Sequence, residues 1–315
     1  MKKIMFCAFV TVLCGTIIIP PRSAVAHGFE GDFFFPPTPT TDDPFAVDEL
    51  SFPSVQVFND PAGDGSPKTR EVDIGAEFDK EIFPKFALGI AGTWTQLNPK
   101  EGETVNGFQN FTLKAKYQLL ENPAHEFILS IGGEWEMGGS GGQAIGADSF
   151  STFTPTIYVG KGFGDLPDSV PFLRPLGITA TVGEDLPTEI ANPNALEWAF
   201  ALEYSLPYLE QNVKDTGLPH PFRDMIPLVE LALQSQENRD GGATTGTVNP
   251  GVLYESKYFQ LGAEAVIPIN GHTGHNVGFI VSAYIFIDDL LPKLFGHPLF
   301  GGHESVAEQS AGGAK

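Results

Sequence analysis

The sequence predicts an all-β protein: a transmembrane, antiparallel, up-and-down β-barrel of about 12 strands, preceded by a signal peptide. Three observations indicate this fold. The first residues have the form of a cleavable export signal, long segments alternate between apolar and small or polar residues, and short connections alternate with long ones.

The export signal covers residues 1–26. Lys2 and Lys3 give it a basic start, residues 4–19 are an apolar run, and Ala24-Val25-Ala26 is a small-x-small cleavage site. The apolar run is short for a membrane anchor, so we expect cleavage and export.

Cysteine occurs only at Cys7 and Cys14, both inside this signal. The exported chain would therefore contain no cysteine, which excludes disulfides, Cys-ligated zinc and a Cys nucleophile.

Twelve segments after residue 50 have the period-2 pattern of β-strands. In the segment 126–137, large apolar side chains at positions 127, 129, 131 and 135 alternate with small or polar ones at 130, 132, 134 and 136. Ten of the twelve segments are long enough, at about 9–11 residues or more, for a tilted strand to cross a bilayer, whereas strands of globular proteins average about 5–6. In chain order the predicted strands are 51–58, 70–81, 86–96, 107–119, 126–137, 150–160, 174–183, 195–206, 224–235, 247–254, 258–267 and 277–287.

The connections favour a membrane barrel over a soluble β-sandwich, which also alternates. Three connections are short (83–85, 121–125 and 255–257), and with an even strand count they fall on the same side as both chain ends. Outer-membrane barrels have short periplasmic turns and longer external loops. The predicted organisation is therefore as follows: signal peptide 1–26, periplasmic N-terminal segment and candidate plug 27–50, β-barrel 51–287, and periplasmic C-terminal tail 288–315.

The strand pattern assigns side chains to the two faces of the barrel. We expect these to point to lipid: Leu88, Ile90, Leu129, Trp135, Trp198, Phe200 and Leu261. We expect these to line the lumen: Glu77, Lys114, Lys116, Glu134, Glu136, Glu197, Glu203, Glu230 and Glu264. Such an excess of carboxylates would favour cations over anions, unless these groups only pair across the wall.

The overall charge excludes one class of partner. The chain carries 18 Lys and Arg against 39 Asp and Glu, a formal net charge of −21. Nucleic-acid binding needs clustered Lys and Arg, so none is expected.

No catalytic constellation or cofactor motif is present, and we predict no enzyme activity and no cofactor. His303-Glu304-Ser305 falls after the last strand, where no membrane active site could form. No metal site is predicted. The weak candidates are His27, which would be the first residue after cleavage, and the loop pair His272 and His275.

The segments 108–123, 127–134 and 276–289 resemble exported proteobacterial outer-membrane barrels described as transporters. The group linked to aromatic- and phenol-degradation pathways is the specific resemblance. It implies a channel in the cell outer membrane, with the lipid bilayer, the barrel-insertion machinery and a small solute as partners.

Together these observations predict an outer-membrane barrel for passive passage of small solutes. It would prefer cations, or carry hydrophobic and aromatic compounds. The alternative is a closed structural or binding barrel that acts through its external loops. Twelve strands lie between the filled eight-stranded barrels and the open porins, so a narrow or partly plugged pore is expected.

Overall fold

A computed structural model describes residues 28–60, 68–238 and 242–301. The predicted signal peptide, His27 and residues 302–315 lie outside these ranges. The strands are β1 (Phe29–Glu30), β2 (Phe33–Phe34), β3 (Glu49–Asp60), β4 (Thr69–Phe83), β5 (Phe86–Pro99), β6 (Val105–Phe108), β7 (Thr112–Asn122), β8 (Phe127–Glu136), β9 (Thr152–Gly162), β10 (Leu176–Pro187), β11 (Ala195–Tyr204), β12 (Met225–Gln236), β13 (Thr245–Glu255), β14 (Phe259–Pro268) and β15 (Gly278–Ile285). The helices are α1 (Leu206–Tyr208) and α2 (Ile287–Leu290), with single helical turns at Pro123–His125, Gln143–Ile145, Pro171–Leu173, Leu209–Val213 and Phe222–Asp224.

Strands β3 to β15 form one antiparallel sheet that closes on itself. Consecutive strands pair with one another except β6 and β7, and β3 closes the ring by pairing with both β4 and β15. Strands β6 and β7 pair with successive parts of β5 and together occupy the position of one barrel strand. The result is a closed 12-strand barrel, which confirms the predicted fold class.

The outer surface of the barrel is apolar and its interior is polar, the reverse of a soluble protein. On β14, Gln260 is 0% exposed and Glu264 is 4% exposed, whereas Leu261 between them is 47% exposed. Leu88 and Ile90 on β5 are 44% and 46% exposed, and Ala87 beside them is buried. The alternation therefore presents its large apolar residues to the surroundings, as a bilayer requires.

Aromatic side chains mark both edges of this apolar belt. Trp135 and Phe153 face each other across β8 and β9, near the ends that lead to the long loops. Phe86 and Tyr117 face each other across β5 and β7, near the short turns. Two aromatic girdles flanking an apolar band are typical of barrels in bacterial outer membranes.

The connections differ between the two ends. Residues 84–85, 123–126 and 256–258 make short turns at the end where β3 begins and β15 finishes, which is the periplasmic end by the rule above. The longest periplasmic connection, 205–224, contains α1 and two further helical turns. Among the described residues, no helix has the length and hydropathy to cross a membrane.

The chain after β15 returns to the barrel wall. It passes through α2 and runs beneath the start of β3, where the Gly296 N–H donates to Asp48 Oδ2 at 2.9 Å. It then reaches the lower end of β4, where Leu299 N donates to Glu81 O and Phe300 N to Ile82 O. Residues 299–300 thereby cover the part of β4 that extends below β3.

Candidate functional site in the barrel interior

Residues 28–48, here called the inner segment, fold into the periplasmic half of the barrel. The segment begins with the β1–β2 hairpin and ends where β3 starts. Its phenylalanine rings are buried in two clusters against side chains of the wall and of α1. The first cluster comprises Phe33, Phe35, Phe45, Ile128 and Tyr208, and the second Phe34, Ile226, Leu228, Leu253 and Phe286.

A glycine of the wall makes room for this packing. A Cβ on Gly177 of β10 would collide with the ring of Phe33, and no such atom is present on glycine. The apolar core of this membrane barrel therefore lies inside its periplasmic half.

Polar bonds hold the tip of the inner segment to β12. The Glu230 carboxylate accepts hydrogen bonds from the Thr38 hydroxyl, from Thr40 N at 3.1 Å and from Thr41 N at 2.6 Å. Asn249 Nδ2 on β13 donates to Thr40 Oγ1 at 2.9 Å. The tip consists of residues 38–42, and its peptide N–H groups are bound by a buried carboxylate of the wall.

On the opposite side, two lysines of β7 hold the segment by ion pairs. Lys116 Nζ lies 3.1 Å from Asp42 Oδ1 and donates to the Asp43 carbonyl at 2.7 Å. Lys114 Nζ lies 2.7 Å from Glu77, 3.5 Å from Glu134 and 3.6 Å from Asp42. Both lysines are thus engaged by carboxylates within the barrel.

The pKa values of the two aspartates of the inner segment, Asp42 and Asp43, are shifted in opposite directions. Burial would raise the pKa of Asp42, but Lys116 and Lys114 outweigh it and hold the pKa below its usual value. Burial raises the pKa of Asp43 to about 7, with Lys116 only partly opposing it. Asp42 therefore binds as an anion, while Asp43 titrates near neutral pH.

The external half of the barrel is open. Two adjoining cavities of about 410 and 500 Å³ share Glu134, Thr154, Glu197 and Gln234 as lining residues. We call them together the vestibule. Its floor is formed by Thr40 and Asp42 at the tip of the inner segment. A solute entering from outside would reach this floor midway along the strands.

A third, smaller cavity lies between the inner segment and the wall. It has a volume of about 170 Å³ and lies beside Asp42, Asp79, Lys114, Lys116 and Tyr284. We call this cavity the seam. It lies inside the periplasmic half and adjoins the vestibule floor, since Thr40 and Asp42 line both spaces.

The nine predicted lumen residues all lie on interior positions, but in three environments. Glu77, Lys114 and Lys116 line the seam, and Glu134, Glu136 and Glu197 line the vestibule. The other three, Glu203, Glu230 and Glu264, are 1%, 0% and 4% exposed within the filled half and do not meet an open lumen.

Several partners in this site were not singled out from the sequence. Asp79 has the same strand parity as Glu77, so the alternation alone indicated it. The sequence pointed to Asp42 only indirectly, because two lysines on the interior face of the barrel need carboxylates as counter-ions. Asp185 accepts from Thr154 Oγ1 at 2.6 Å beneath the external loops, where no strand pattern pointed to it.

Of the weak metal candidates, the loop pair His272 and His275 lies within the described residues. Within the described ranges, no three His, Cys, Asp or Glu side chains are grouped as a metal site would require. His272 and His275 lie in the loop between β14 and β15, and His27 lies outside these ranges.

Comparison with known proteins leaves the family open. No family model and no curated protein matches the chain. Among solved structures, it is similar to a KdgM porin (14% identity, 75% of this chain and 98% of that one, TM-score 0.42). It is also similar to a NanC porin (10%, 76% and 99%, 0.45) and to the translocator domain of the autotransporter NalP from Neisseria meningitidis (9%, 76% and 86%, 0.38). At these TM-scores the likeness carries no argument about function, which depends on the geometry of this barrel.

The geometry of the barrel is sufficient to assign the chain to a membrane. An even number of antiparallel strands, short turns at one end and an apolar belt between aromatic girdles are the features of barrels in the bacterial outer membrane. The predicted location, the cell outer membrane, agrees with all of them.

Proposed function

We propose that the protein is an outer-membrane channel for passive passage of small polar solutes, with the inner segment as its plug. The observation that carries the proposal is the polar vestibule, which opens outward and ends on Thr40 and Asp42 of the inner segment. A solute enters the vestibule freely, and passage follows displacement of the segment from the wall.

The vestibule lining favours cations. Five carboxylates line its larger cavity, and neither Lys nor Arg is among the described residues of that lining. They are Glu134, Glu136, Asp148, Asp185 and Glu197. Rings of carboxylates attract cations and exclude anions, and such a lining is poorly suited to hydrophobic or aromatic compounds.

The way the inner segment is held suits a part that moves. The described bonds between its tip and the wall involve a side chain on at least one side, as with Glu230, Asn249 and Lys116. No strand of the barrel is lost when they break, because β1 and β2 pair only with each other. The segment continues into β3 at Glu49, which serves as its tether.

A disulfide that fixes the tip tests the proposal. Thr40→Cys with Asn249→Cys replaces two side chains already in contact, and both native cysteines lie in the predicted signal, outside the exported chain. In planar bilayers, we expect the reduced double variant to conduct and the oxidised one to stay closed. The single variant Thr40→Cys is the control, and its conductance should be the same under oxidising and reducing conditions.

Equal conductance in both redox states would contradict a moving plug. No conductance under any condition would favour the second candidate, a closed barrel that acts through its external loops. One observation supports that candidate: the phenylalanines of the periplasmic half form two buried apolar clusters, as in a structural core.

A further inference from the structure

Residues 290–300, after the last strand, expose an unusual amount of apolar surface. Leu294 is 66% exposed, Phe300 is 56% and Leu299 is 55%, and Leu290 and Leu291 are also exposed. An apolar patch of this kind on a protein surface marks an interaction site. We call residues 290–300 the rim segment.

The rim segment is fixed in place and is not a loose tail. Lys80 Nζ bonds to Asp48 at 2.6 Å and donates to the His297 carbonyl at 2.8 Å. The backbone bonds of residues 299 and 300 to β4 continue the barrel wall downward. The exposed leucines are therefore held at the periplasmic edge of the barrel.

The same segment is continuous with the lipid-facing belt. The ring of Phe295 packs edge-on against Phe78 at 6.3 Å between centroids, and Phe78 faces outward beside Ile90 of the belt. Phe300 packs against Phe83 at 5.7 Å. The apolar surface of the rim segment therefore begins where the bilayer-facing surface of β4 ends.

We infer that the rim segment is an interfacial anchor that inserts its leucines into the periplasmic leaflet of the bilayer beside the barrel. Its occupant is lipid because its apolar surface extends a surface that already faces acyl chains. Interfacial segments bury an apolar face at the headgroup boundary in this way. The inference rests on the proposed membrane placement. It changes the prediction for the first part of the tail 288–315, which was expected to be periplasmic and is here placed at the membrane surface.

Lipid-borne quenching tests the anchor. A fluorophore is attached to Leu294→Cys or Leu299→Cys, and the protein is reconstituted into phosphatidylcholine vesicles with brominated acyl chains. Leu88→Cys in the belt is the lipid reference, and Lys214→Cys in an exposed periplasmic loop is the water reference. We expect labels at 294 and 299 to be quenched nearly as strongly as at 88, and far more than at 214.

Quenching at 294 and 299 no greater than at 214 would overturn the anchor while leaving the barrel in its membrane. Absence of quenching at 88 would instead overturn the membrane placement itself. A second measurement uses the label at 299: Leu294→Glu should reduce its quenching, because the charge expels the segment from lipid. Lys293→Glu, which places the same charge at a residue that is already polar, should not.

Discussion

The external and periplasmic halves of the barrel are built from the same strands but have opposite interiors. In the external half, Glu134, Glu136 and Glu197 border open cavities. In the periplasmic half, Glu203 and Glu230 point into the same barrel but are buried. The difference comes from the inner segment, which occupies one half and stops at the other.

This contrast separates two roles of an interior carboxylate. Glu230 binds three donors of the inner segment and acts as a structural group of the filled half. Glu197 accepts a hydrogen bond from Gln234 at 2.9 Å, lies beside Asp185 and faces the vestibule. A carboxylate on an interior strand position is thus a selectivity group only where nothing covers it.

The largest effect is expected from removing the inner segment. Deleting residues 29–46 should raise single-channel conductance at least several-fold, because the vestibule would then continue into an unfilled periplasmic half. Heat-modifiable gel migration verifies that the barrel still closes. Unchanged conductance of a folded deletion variant would show that the two halves are not separated by this segment.

Removing one buried ring should show how much the packing of the filled half contributes to docking of the inner segment. Phe33 is fully buried, so Phe33→Ala should weaken docking of the segment by about 3–5 kcal/mol. Thr152→Ala in the vestibule is the control and should have little effect. The readout is the rate at which Thr41→Cys, introduced in each background, reacts with an impermeant thiol reagent, since Thr41 is 0% exposed while the segment is docked. Equal reactivity in the two backgrounds would contradict a packed core.

The barrel could be predicted from the sequence and its filling could not. Strand alternation depends on residues two positions apart, so the faces of Leu261 and Glu264 follow from the local pattern alone. The contacts of Thr38 with Glu230 and of Asp42 with Lys116 depend on where a segment without periodicity comes to rest. The phenylalanine cluster of residues 27–50 suggested a plug, but no local pattern indicated how deeply that plug enters the barrel. Three of the nine predicted lumen residues therefore lie in the filled half, whereas the strand pattern placed them only on the interior face.

Selectivity should reside in the external half. Glu134→Gln with Glu136→Gln should reduce cation preference, measured as the reversal potential across a salt gradient. The effect should be largest near 0.01 M salt, where the screening length is ~30 Å, and small at 1 M, where it is ~3 Å. Glu203→Gln is the matched control, since that carboxylate is covered and accepts its hydrogen bond from Thr179 of the wall, not from the inner segment. Anion preference of the native channel would refute the acidic vestibule as a filter.

The smallest expected effect is a dependence on pH at the boundary between the halves. The pKa of Asp43 is raised to about 7 in the docked segment, so the docked state binds the proton more tightly. Docking is then strongest below the ordinary pKa of an aspartate and weakens as pH rises towards 7. The open probability should increase over that interval, and Asp43→Asn should remove the increase. Asp42 acts oppositely and only at lower pH, since its depressed pKa weakens docking when the pH falls below it.

The bond between Thr38 and Glu230 joins residues 192 positions apart. The partners of the inner segment lie on strands from β4 to β15, so the segment has no complete binding surface until most of the sheet has paired. Contacts across such long stretches of chain form late, after closer pairs have brought them together. Residues 28–48 are therefore among the last parts of the barrel to find their place during assembly. A barrel that is still incomplete displays a run of unburied phenylalanines, and a finished barrel does not.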